Sequence, residues 1–388
     1  MSCRTGAVPF TMLMITAMAA GRSSEAADWS GTVQAAAGAA YVTNPRMLPG
    51  ADNSDETGEL LVDGSAMRAT ERSQLTVTPQ VRLTRYNHDT DLDTDEGRLG
   101  IAFQEKLERG DWTFDGLGLT DSTVTSERGT TGITYVNRRH TSGSADFGYE
   151  RFSTERLSWQ FQVGAQITRY SDAAQFGLVD YDYGSVQFGP NWSFTERVQG
   201  SLTLEANRLN PDGGARQNNY VISARLRRFF SEHYAWHVSI GGTRVDYGST
   251  STSPAASNTT AQYEIGGTYK GERLTWELSA RRAVLPIGIG LLAPQTIATL
   301  TIAANTSEHS IVTLSLNGIR TDAVFVGPVE VHNSDTFGQA SLEWRYRFTP
   351  HWTLSAVYEQ ARSRAGGIEE WANGRQARLS VVWDSGRL

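Results

Sequence analysis

The chain of 388 residues has one cysteine, Cys3, and only two lysines, Lys106 and Lys270. A single thiol rules out an intrachain disulfide framework and a cysteine metal cluster. After residue 20 no apolar run approaches the roughly 20 residues of a spanning helix, and the mean hydropathy is negative. A helical membrane protein is thereby excluded. No Pro/Gly/Ser linker divides the chain, although its length would suffice for two or three soluble domains. The net charge of -7 gives no footprint for nucleic acid. The seven histidines form no HExxH or other metal-spaced pair, and no G-x-S-x-G elbow occurs. Ser385 follows Asp384 with no base placed near it. The sequence therefore predicts no enzyme, no cofactor and no metal centre.

What is present is alternation. In residues 271–281 a polar turn feeds a strand in which Leu274, Trp276, Leu278 and Ala280 share one face. Thr275, Glu277, Ser279 and Arg281 take the other, so one face meets an apolar medium and one a polar medium. The same unit recurs at turns beginning at Thr70, Leu107, Thr154, Thr195, Ser231, Gly271, Ser307 and Thr349, spaced about 36 to 47 residues apart. Longer polar connections separate them: 44–57, 88–96, 123–143, 171–182, 210–218, 248–259, 284–294, 322–335 and 363–373. Eight short and nine long connections predict an all-β, antiparallel, up-and-down transmembrane barrel of about 18 strands, with periplasmic turns, external loops and both ends periplasmic. The count falls to 16 if the weak strand at about 58–69 and strand 13, interrupted by Pro286 and Gly288, do not form. Aromatics gather near the short turns, among them Trp112, Trp159, Trp192, Trp236, Trp276, Trp352 and Trp383, as an interfacial girdle requires.

Backbone groups in lipid must all be paired, so such a sheet closes. At this strand number the bore is too wide to fill with side chains and holds water. The alternation points Arg82, Glu205, Arg225, Arg227, Glu264, Glu277, Arg281, Glu343, Arg345, Arg347 and Arg378 into it. Opposed charges on a pore wall tune which ions and solutes pass, and the same residues can also serve simply to wet the wall. Asp89, Asp91, Asp93, Asp95 and Glu96 form an acidic external loop. It fails the EF-hand pattern, with Thr94 for the turn glycine and Gly100 for the closing glutamate, and reads as a solvated loop. The longest external loop, 123–143, is expected to fold into the channel and narrow it.

Residues 1–26 read as a secretory signal. Arg4 supplies the positive end, Ala7 to Ala20 the apolar segment, and Ser24 and Ala26 the small residues before a cut. A single barrel domain then occupies 27–388. The strand ending Tyr41-Val42-Thr43-Asn44-Pro45, the segment Thr76-Val77-Thr78-Pro79 and the Ser/Thr-Glu-Arg type turns at Thr154, Thr195 and Ser231 resemble the β-barrel porins encoded with exopolysaccharide-export genes, the β-barrel porin 2-like family. The resemblance spans about residues 28–384. It implies the outer membrane of a Gram-negative bacterium and a conduit for a secreted polysaccharide. It also implies lipid and lipopolysaccharide outside the wall and handling by the barrel-assembly machinery. The chain departs from the family after Trp383, where Asp384 to Leu388 follow the expected aromatic terminus. The arginine-rich wall, without an aromatic slide, favours instead a general diffusion porin for small solutes. A structural or adhesive surface protein is the third reading, and the sequence sets no oligomeric state.

Overall fold

The computed structural model describes residues 28–128, 137–172, 175–249, 255–326, 329–366 and 368–386. The signal segment 1–26 lies outside the described residues. The strands are β1 Asp28–Thr43, β2 Ser54–Ala69, β3 Ser73–Tyr86, β4 Thr94–Leu107, β5 Gly110–Ser122, β6 Arg139–Phe152, β7 Leu157–Tyr170, β8 Tyr181–Thr195, β9 Val198–Pro211 and β10 Gln217–Phe229. They continue as β11 Tyr234–Tyr247, β12 Ala256–Lys270, β13 Leu274–Ile287, β14 Leu291–Ser307, β15 Ser310–Thr321, β16 Val324–Val326, β17 Val329–His332, β18 Asp335–Arg347, β19 Trp352–Arg364 and β20 Ala372–Asp384. Short β16 and β17 pair only with each other; the other 18 form one antiparallel sheet of sequential neighbours. The sheet closes where β1 meets β20, from Gln34↔Asp384 to Thr43↔Arg375. The weak second strand forms, paired along its whole length with β1 and with β3 from Thr57 to Ala69 apart from Gly64 and Ser65, so the count is 18 and not 16.

Register explains the exterior. Phe161 faces Phe188, Ile222 lies beside Leu204, Leu342 beside Tyr358, and Ala356 beside Leu379. These outward side chains stay exposed, as far as 67% for Ile240 and 56% for Leu379. So much exposed apolar surface around most of the wall is unstable in water and requires lipid. Aromatic pairs such as Trp159–Phe188 (5.2 Å) and Tyr269–Trp276 (6.4 Å) stand near the short turns. Among the described residues no helix is long and apolar enough to cross a membrane. The closed, lipid-wetted cylinder with short turns at one end and long loops at the other is an outer-membrane β-barrel.

Two sequence expectations change. Asp95 and Glu96 are not in a loop: β4 begins at Thr94, Asp95 lies opposite Leu83 on the outer face, and Glu96 lies opposite Arg82 inside. The segment 284–294 is not a polar connection: it runs Val-Leu-Pro-Ile-Gly-Ile-Gly-Leu-Leu-Ala-Pro and is largely buried. It is the end of β13, a turn at 288–290 and the start of β14. Pro286 and Gly288 suggested a break because a proline removes a ladder donor. Here no ladder is lost, because β12 pairs with β13 only up to Arg282 and β15 meets β14 only from Gln295. Residues 283–294 thus form a ribbon that belongs to neither wall neighbour.

The tail after Trp383 also has a place. Ser385 exchanges bonds with Val33, its N–H to the Val33 carbonyl and its hydroxyl receiving the Val33 N–H, both at 2.9 Å. Gln34 donates to Asp384 at 2.7 Å. These bonds extend the closing seam beyond the last aromatic residue.

Candidate pore and its constriction

The ribbon bends into the bore at the loop end. Val284, Ile287, Leu292 and Ala293 are 0–3% exposed, packed with Tyr170, Leu178, Tyr181, Leu209, Val245, Tyr247 and Val324. Most of these partners are inward-facing residues of β7, β8, β9 and β11, so the ribbon lies across a chord of the mouth. Its tip is held by hydrogen bonds. Val179 N–H donates to the Gly288 carbonyl (2.8 Å), the Gln217 amide donates to the Gly290 carbonyl (2.8 Å), and the same amide accepts from Leu292 N–H (2.8 Å). Tyr247 hydroxyl donates to the Leu292 carbonyl at 2.9 Å. Gly290 turns the chain at φ +73, a left-handed conformation that suits glycine. Burying Val284, Ile287 and Leu292 stabilises this seat by about 5–9 kcal/mol as an upper estimate, so the ribbon is a standing constriction and not a freely swinging flap.

The β5–β6 loop enters beside it. Ser122 caps the helical turn Thr123–Ser126 by accepting from Val124 N–H at 3.1 Å. Beyond the turn, the buried Glu127 carboxylate accepts from Tyr170 hydroxyl at 2.7 Å and sits under the ribbon tip. A Cβ on Gly288 would come within 2.5–2.8 Å of that carboxylate, so glycine permits the approach. Arg128 reaches the opposite way, donating to the Pro45 carbonyl at 3.0 Å. Burial pushes its guanidinium below the usual arginine range, while Tyr86 and Glu359 oppose the shift. Thr123–Arg128 therefore spans between the two sides of the mouth, as expected for this loop; residues 129–136 lie outside the described residues. On the β1 side, Met47 is buried against Phe337, Ala361 and Ala372. Arg46 pairs with Asp91, whose carbonyl accepts from Asn137 at 2.6 Å.

Below the constriction lies a polar cavity of about 750 Å³. Glu205, Arg225, Arg227, Glu264 and Arg281 line it, with Gln160, Gln162 and Glu150. Glu264 pairs with Arg225 and accepts from His237 Nε2, 3.0 Å away, in the tautomer that carries the proton there. Arg82 lies 3.0 Å from Glu59 and 3.7 Å from Glu96, and Arg378 lies 2.7 Å from Glu59, forming a separate cluster on β2, β3, β4 and β20. Arg345 forks onto Glu343 at 2.7 and 2.8 Å, while Arg347 reaches the Glu308 carbonyl at 3.4 Å. Glu277, opposite Thr268, and Arg281 have no ion pair among the described residues. All eleven predicted wall residues thus sit on the face opposite the apolar exterior, but in separate groups.

Alternation alone missed Glu59, whose strand also points Leu61 and Met67 inward, and Asp115 and Asp146, which face each other across β5 and β6. His237, between outward Trp236 and Val238, faces the bore as well and meets Glu264. The acidic loop's carboxylates are spent on neighbours: Asp93 accepts from Tyr86 N–H at 2.8 Å, and Asp95 takes Arg85 at 2.5 Å. Among the described residues no group of three or more His, Cys, Asp or Glu gathers in a metal-binding arrangement.

No family model matches the chain, and no curated protein matches it. Among solved structures it is similar to OccAB3 of Acinetobacter baumannii, at 9% identity over 93% of this chain and 100% of that one, with a TM-score of 0.44. It is also similar to the outer membrane protein opdK of Pseudomonas aeruginosa (10% identity, 93% and 99% coverage, TM-score 0.45). The outer membrane protein OprD of the same species gives 13% identity, 92% and 94% coverage, and a TM-score of 0.43.

Proposed function

We propose that this barrel is a passive pore for small hydrophilic solutes. The observation that carries the reading is the inward ribbon, seated beside Thr123–Arg128 across the outer mouth of a water-lined bore. A polymer in transit would occupy the bore along its whole length, and the ribbon stands in that path. The exopolysaccharide conduit rests on the sequence resemblance alone, and no contact in the lumen favours it.

Below the constriction the wall carries carboxylates on β5 and β6 (Asp111, Asp115, Asp146, Glu150) and arginines on β10, β13 and β18 (Arg225, Arg227, Arg281, Arg345, Arg347). Charges of opposite sign on different arcs set a field across the channel, which orients dipolar solutes and discriminates ions. Liposome swelling with solutes of rising size tests this reading. Monosaccharides and amino acids should enter, and oligosaccharides should be excluded. Entry of long oligosaccharides at the monosaccharide rate, or no entry of any solute, would overturn it.

A further inference from the structure

The outer wall carries a groove of about 1010 Å³ over β1, β2, β18, β19 and β20. Small residues floor it, Ala39, Ala356 and Ala377, and large ones border it, Tyr41, Trp344 and Tyr358. All of these share the lipid-facing register. Above the groove, toward the loop end, the same face carries three exposed arginines. Arg375 stands two residues beyond Ala377 on β20, and Arg362 stands four beyond Tyr358 on β19, roughly 7 and 13 Å up the wall at about 3.3 Å per residue. Arg362 and Arg364 both lie against Trp371, their guanidinium carbons 4.8 and 5.1 Å from the ring centre, which holds the two forks side by side.

Elsewhere on this rim several outward arginines face carboxylates, Arg85 with Asp95, Arg169 with Asp182, Arg244 with Asp246 and Arg320 with Asp322, while Arg208 stands alone on its strand and donates to the Asn218 side chain at 3.0 Å. Arg362, Arg364 and Arg375 have no such partner among the described residues. Unneutralised guanidinium groups above an apolar groove are complementary to one ligand shape, a phosphate head over acyl chains. We infer that this face holds a phosphorylated, multiply acylated lipid of the outer leaflet, of lipid A chemistry. The arginines grip the phosphate, and the chains run down the alanine-floored groove. The inference goes beyond the pore reading: loss of solute permeation would leave the lipid site standing, and loss of the lipid site would leave the pore.

The full chain, folded in detergent, is titrated with lipid A and followed by native mass spectrometry. The triple variant Arg362→Gln, Arg364→Gln, Arg375→Gln should bind at least about tenfold more weakly, as should wild type with dephosphorylated lipid A. Ala356→Trp, which fills the groove, should weaken binding to a similar degree. Arg169→Gln, on another arc of the wall, should leave it unchanged. Heat-modifiable gel mobility reports folding; if the triple variant does not fold, Arg375→Gln alone must weaken binding. Unchanged binding by the folded arginine variants overturns the inference. So does displacement of the lipid by inorganic phosphate alone, which marks a free-anion site. A wild-type oligomer that Ala356→Trp dissociates without loss of lipid binding would assign the groove to a second copy of the chain and overturn it as well.

Discussion

Excision of the ribbon should widen the mouth and spare the wall. Ala283 and Gln295 are cross-strand partners, so replacing residues 284–294 by Asn-Gly joins β13 to β14 through a two-residue hairpin turn. No wall ladder is removed, because within the sheet the excised residues pair only with each other; besides the bonds at the tip, the one backbone bond lost at the base is Asp322 N–H to the Pro294 carbonyl (2.9 Å). Eighteen strands spaced about 4.8 Å apart and tilted about 40° make a cylinder of roughly 18 Å radius; about 5 Å of inward side chains leaves a bore of roughly 530 Å². The ribbon, about 17 Å long and about 10 Å wide, covers about a third of that opening. Single-channel conductance in planar bilayers should therefore rise at least about 1.5-fold, more where other loops share the mouth. Gel mobility before and after heating verifies that the excised form still closes. A folded, excised barrel with wild-type conductance would refute the placement of the constriction.

Gly288→Val drives a branched side chain into the Glu127 carboxylate, displacing it from Tyr170; losing that buried, charged hydrogen bond should cost about 1.5–3 kcal/mol in urea unfolding of the folded barrel. Arg225→Gln removes positive charge beside Glu264 and should move the reversal potential in a salt gradient toward cation selectivity, while stability changes by less than about 1 kcal/mol because the pair is partly solvated. Truncation after Trp383 deletes the paired bonds between Ser385 and Val33 and the Gln34–Asp384 bond, together about 2–3 kcal/mol at the seam. The fraction of chain reaching the heat-resistant form should fall, and an undiminished yield would show that the tail is dispensable for closure.

The strand number was legible because every inner turn is short and polar, and because side chains alternate through Trp159, Phe161 and Val163 or Leu342, Trp344 and Tyr346. Lipid outside and water inside impose that two-residue period on each strand separately. The mouth obeys another rule. Residues 283–294 are apolar on a piece of sheet that leaves the wall, so neither lipid nor bulk water sets their pattern. Their burial depends on Tyr181, Leu209 and Tyr247, far away in sequence. Pro286 and Gly288 reinforce the impression of a break, since nothing local reveals that the ribbon's outer edges need no donors. Glu59 was hidden for a related reason: inward Leu61 and Met67 blur the alternation around it. The eleven wall charges could be assigned to a face, but their grouping into pairs depends on which strands become neighbours and at what stagger.

The departure of the ribbon has a mechanical consequence for the cylinder. The β12–β13 ladder runs only from Tyr263↔Arg282 to Lys270↔Thr275, the shortest in the wall, while the outer half of β12 keeps β11 alone. Asn258 answers by donating to the Phe325 carbonyl at 2.7 Å, and Arg282 reaches across to Asp322 at 2.5 Å. Hoop tension at that level is thus carried by side chains and a borrowed hairpin instead of backbone rungs. When the ring is strained by heat, by force or by a thinner bilayer, it tears first between these two strands.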